Sequence, residues 1–85
     1  MFKMLVGSFM LPDATYIVLR INQRDEYVTH RLHKGALSYQ RQHHPLDTEM
    51  SILTQCEGSD GHYFGSDYAM AMGDFCQRIM DVPRK

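Results

Sequence analysis

Only two cysteines, Cys56 and Cys76, occur in the 85 residues, too few for the disulfide framework on which small secreted domains rely. Two thiols in a reducing compartment are the expectation, which places the chain in the cytoplasm. A bridge between them needs the segment carrying Cys56 to pack under a helix carrying Cys76, and that pairing stays open. Missing as well is any apolar run of the ~20 residues that a membrane-spanning helix requires. The most apolar stretch, Met1 to Leu11, holds Lys3 and stops at Pro12-Asp13. No small-x-small cleavage site of a signal peptide follows it, so it reads as a first strand of the mature protein. Neither Cys-x-x-Cys nor His-Glu-x-x-His appears, and no compact catalytic or cofactor signature takes their place.

What is present is the composition of an ordinary globular protein, 44% hydrophobic and 22% charged. A chain this short hides only ~60 to 65% of the surface that its unfolded state exposes, so residues 1–85 form one domain around a small core. Either a monomer or a homodimer that buries extra surface suits such a chain. The net charge of −1 conceals a split. Residues 1 to 45 carry six basic side chains against three acidic ones, and residues 46 to 85 carry three basic against seven acidic. One half is basic and the other acidic.

Tyr16 to Asn22 and Glu26 to His33 are rich in β-branched residues and flank the polar link Gln23-Arg24-Asp25, which predicts a β-hairpin. Ile17, Leu19 and Ile21 share one face of the first strand, and Val28, His30 and Leu32 share one face of the second. A sheet face exposing Arg20, Arg31 and His33 is the corollary. Residues 36 to 48 show no clean period and end in the polar run before Pro45, so a loop is expected there, with room for a short strand at 36–39. Glu49 to Cys56 reads as another strand, closed by a loop in which Gly58 and Gly61 supply positive φ values. His62-Tyr63-Phe64 follows as a short strand. From Ser66, a suitable N-cap, a helix is predicted to about Val82, before Pro83. Its apolar stripe is Tyr68, Met72, Phe75, Cys76 and Ile79, with Asp67, Asp74 and Asp81 recurring every seven residues on the opposite side.

Several chemistries are weighed against these patterns. His30 and His33 point to opposite faces of a strand, and His43 and His44 diverge if extended, so no metal site and no cofactor are expected. Cys76 beside an apolar stripe has the surroundings of an inert thiol. The aspartates stand about 10 Å apart along a helix, too far for paired acid and base work, and no catalytic residue is assigned. Arg20, Arg24, Arg31, Lys34 and Arg41, interleaved with Tyr16, Tyr27 and Tyr39, offer a nucleic-acid surface, though the near-neutral chain is unlike a dedicated binder. The acidic helix face offers a surface for a basic protein partner.

The strand meander followed by Gly61-His62-Tyr63-Phe64, then Asp67-Tyr68, Ala71, Asp74-Phe75 and Arg78-Ile79, resembles small proteins carried by phages and other mobile elements. In size and layout it is similar to anti-CRISPR-type inhibitors. That resemblance implies stoichiometric occlusion of a host protein or ribonucleoprotein complex, without catalysis. An acidic face that imitates phosphate spacing is one route, and Asp67, Asp74 and Asp81 are the residues to supply it, with Asp60, Glu57 and Asp47 as neighbours. The expected architecture is α+β, an antiparallel meander of three to five strands with one C-terminal helix packed on one face.

Overall fold

The computed structural model describes residues 1–81. Four strands, β1 (Phe2–Met10), β2 (Tyr16–Asn22), β3 (Tyr27–Leu32) and β4 (Ser59–Tyr63), form an antiparallel sheet in the order β1-β2-β3-β4. The fold is thus the expected α+β meander. It carries three helices rather than one: α1 (Lys34–His43), α2 (Glu49–Gln55) and α3 (Tyr68–Met80). Pro83 and the expected helix end at Val82 lie outside the described residues.

The two meander turns are built alike. Leu11 N–H donates to the Thr15 carbonyl and Ala14 N–H to the Leu11 carbonyl, and the same pair of bonds links Asn22 with Glu26 and Asp25. Ala14 and Asp25 take positive φ to close these tight reversals. The Asn22 side chain secures the second turn by accepting from the amides of Arg24 and Glu26.

Alternation along the strands feeds two cores, one on each side of the sheet. Ile17 and Leu19 meet Leu11, Ala71 and Phe75 under α3. Val18 and Leu32 meet Leu37, Ile52, Leu53 and Cys56 under α1 and α2. The loop expected at 36–48 is therefore largely α1, and the strand expected at 49–56 is α2. In α1 only Leu37 is buried, which is why no period is visible there; Pro45 still ends the helical run. In α2 the Thr48 hydroxyl caps the first turn by accepting from Ser51 N–H at 3.1 Å. Ile52, Leu53 and Cys56 then share one helical face, whereas Met50, which strand alternation pairs with Ile52, lies exposed.

The loop expected at 57–61 is instead the approach to β4 and its first residues, and Gly58, before the strand, and Gly61, within it, serve closeness rather than curvature. Positive φ falls on Asp60 and Gly65 instead. A Cβ on Gly58 would lie 2.6 Å from His30 Cβ and Cγ, and one on Gly61 would lie 2.6 Å from His30 Nε2. The His30 ring thus occupies the space that side chains at both positions would need.

Candidate functional site

The acidic series on α3 is built from the helix outward. Asp67, not Ser66, is the N-cap, with its carboxylate accepting from Met70 N–H at 3.0 Å, where the helix dipole favours negative charge. Asp81 is the C-cap and accepts from Gln77 Nε2 at 2.8 Å. Both are exposed. Asp74, between them, is turned to the sheet. It accepts from Thr29 Oγ1 at 2.6 Å, from His62 Nδ1 at 3.1 Å and from Arg78 Nε at 3.1 Å. Burial works to raise its pKa, but these three hydrogen bonds together outweigh it and hold the carboxyl below its ordinary value. Arg78 also donates to the Asp60 carbonyl, so one ion cluster stitches α3 to β3 and β4.

The helix lies rotated from the expected orientation. Ala71 and Phe75 are buried, Met72 and Ile79 are half-buried, and Tyr68 and Cys76 are exposed. The apolar stripe is shifted from the expected one towards Ala71, by less than the ~100° that one residue makes. Asp74 and Arg78 come onto the flank of the docking face as a result. The acid array thus has a neutralised middle, and its outer members stand ~21 Å apart at 1.5 Å per residue.

Of the remaining carboxylates in the expected site, Asp60 lies beside this cluster, while Glu57 is near Ala36, Tyr39 and Gln55 beside α1 and α2. Among the described residues, none of Glu57, Asp60, Asp67 and Asp81 makes an ion pair. Asp13, Asp25, Glu49 and Asp74 do.

The basic candidates are not assembled on one surface. Arg20 is completely buried, and because Arg20 pairs with Val28 while Arg31 pairs with Ile17, the two point to opposite faces of the sheet. The expected basic face is corrected on both counts. Arg31 pairs with Asp13 at 3.4 Å and Arg41 with Glu49. Arg24 lies exposed in the β2–β3 turn, and Lys34 lies exposed at the start of α1.

Arg20 does structural chemistry instead. The last turn of a helix leaves carbonyls without intrahelical partners, and at the end of α2 Arg20 Nη1 donates to those of Leu53, Thr54 and Cys56 at 3.2, 3.1 and 2.6 Å. The guanidinium lies 3.7 Å from the centre of the Phe2 ring. Its Nη2 stands 3.1 Å from His30 Nδ1. Arginine only donates, so Nδ1 accepts and the His30 proton sits on Nε2. Burial, then the neighbouring charges of Arg20 and Arg78, push the His30 pKa down to about 4. Desolvation lowers that of Arg20 to about 10, which leaves it charged at neutral pH. Arg20 sits in an apolar strand two residues after Val18, and that parity was the available signal for its inward direction.

Asp74 behind His62 Nδ1 turns the Nε2 of this half-exposed ring outward, half of an acid-base arrangement. Among the described residues no nucleophile is placed in line with it. The Thr29 hydroxyl is buried and donates to Asp74. Cys76 follows Asp74 by two residues, about 200° around the helix. Cys56 lies in the core on the opposite side of the sheet, with its thiol pKa raised by burial, and both cysteines are free. The two therefore do not form a bridge. Among the described residues no three His, Cys, Asp or Glu side chains gather as a metal site requires, and no helix is long and apolar enough to cross a membrane. Comparison with known proteins finds no match to this chain among family models, curated proteins or solved structures.

Proposed function

We propose that this chain is a non-enzymatic binding domain that inhibits a host protein complex by occupying one of its surfaces, the mode of action of anti-CRISPR-type inhibitors. The contact is the acidic side of α3 and the neighbouring start of β4. One observation supports this reading above others: α3 and the start of β4 carry three exposed carboxylates, Asp60, Asp67 and Asp81, that form no ion pair with the described residues, whereas Asp13, Asp25, Glu49 and Asp74 do. Negative charge without an ion-pair partner among the described residues, on a docked helix and the adjoining strand, steers association towards a basic partner. Asp74 belongs to the frame of this surface rather than to its contact atoms.

The test exploits a conservative substitution. Asparagine keeps the cap at position 67 and tolerates the positive φ at position 60, so Asp60→Asn, Asp67→Asn and Asp81→Asn together remove charge with little change in fold. Tagged wild-type protein is expected to capture a complex from bacterial lysate and inhibit it at one-to-one stoichiometry, and the triple variant to lose that capture. Equal capture by both proteins rejects the acidic contact.

A further inference from the structure

We propose that β1 pairs with β1 of a second copy of this chain, in an antiparallel two-fold dimer centred on Phe9. This contact is independent of the acidic surface.

β1 is an edge strand, and its open side carries main-chain donors and acceptors. Which groups face outward follows from the β1–β2 turn. Leu11 turns both its N–H and its carbonyl inward, to Thr15 and Ala14. Register is regular from Gly7 to Met10, and inward and outward residues alternate in an antiparallel ladder. Phe9 therefore bonds to β2, while Ser8 and Met10 direct their N–H and carbonyl groups outward. Both irregularities of β1, between Phe2 and Met4 and between Leu5 and Gly7, precede this stretch, and Pro12 follows it.

The usable edge is short and complementary to itself. Placing Ser8 opposite Met10 of the second copy, and Met10 opposite its Ser8, pairs outward groups only with outward groups and leaves both irregularities outside. Phe9 then faces Phe9 of the second copy as a non-hydrogen-bonded pair, the position at which side chains approach most closely. Phe9 and Met10 are both large apolar residues left exposed in the single chain. Charge agrees with this pairing: no charged residue lies between Met4 and Pro12. Lys3 and Asp13, which flank the stretch, are each ion-paired within the chain, to Asp25 and Arg31, so no unpaired charge of like sign meets across the two-fold there. The opposite edge offers no such site, since β4 is five residues long and carries Asp60 and His62 exposed.

Sedimentation velocity tests this over roughly micromolar to millimolar concentrations. Wild-type protein is expected to pass from the mass of one 9.9 kDa chain to that of two. Ser8→Pro removes an outward N–H and no bond to β2, so it should raise the dimer dissociation constant by at least about tenfold and leave the circular dichroism unchanged. Where Ser8→Pro does not fold, Phe9→Lys replaces it, placing like charges face to face at the two-fold. A wild type that stays monomeric throughout, including one that pairs only with a strand of another protein, overturns the proposal. So does a folded variant that dimerises as wild type does.

Discussion

The two faces of the sheet are closed by opposite means. Under α1 and α2 the one buried charge among the described residues is a cation, Arg20, whose Nη1 and Nη2 meet neutral carbonyls and a neutral histidine while its buried Nε has no partner. Under α3 the polar contact is a carboxylate, Asp74, met by Arg78, His62 and Thr29 at the rim of an apolar core. The difference follows from which part of each helix meets the sheet. The end of α2 lies over Arg20, so its unbonded carbonyls face a buried donor. Asp74 lies in the middle of α3, so its ion cluster ties the body of that helix to β3 and β4.

That contrast can be broken from the α3 side first. Phe75→Ala removes the main apolar anchor of α3 and should cost ~3 to 5 kcal/mol, enough to unfold so small a domain. A cooperative melt close to wild type would reject the docking described here. The Arg20 side is sharpened by pH. His30 has a folded-state pKa of about 4 against 6.5 in the unfolded chain, so the unfolded state binds more protons between those values. Its contribution is fully present above pH ~6.5 and is lost as pH falls towards ~4, a total of about 3 kcal/mol. Urea melts across that range should show the decline, and His30→Asn, which keeps an acceptor without a titrating ring, should flatten it. Asp74→Asn is the mildest change, expected to cost about 1 kcal/mol at neutral pH. Because the folded pKa of Asp74 is depressed, that difference should vanish as pH falls below ~4 and the wild-type carboxyl protonates.

The meander and α3 were legible because their signals are local. Alternation from Tyr16 to Leu32 and the seven-residue spacing of aspartates survive without knowledge of neighbours. α1 was hidden because it buries Leu37 alone, and α2 because Met50, Ile52 and Cys56 fit a strand's alternation as well as a helix. Missing that layer made Arg20 look exposed. The rotation of α3 had a different cause: Ala71 is small, so weighting the helix by its large apolar residues drew the stripe towards Cys76 and away from Asp74. The candidate carboxylates could be named from sequence, but that Asp74 is held in an ion cluster while Asp60, Asp67 and Asp81 pair with no described residue depends on tertiary contacts.

In the proposed function, Asp60, Asp67 and Asp81, which make no ion pair with the described residues, form the contact. The most direct measurement is the affinity of the captured partner for wild-type protein and for the Asp60→Asn, Asp67→Asn, Asp81→Asn variant across a range of salt concentrations. Wild-type affinity should fall steeply as salt rises, while the variant binds weakly and with little salt dependence. Equal affinities that do not respond to salt would contradict the account.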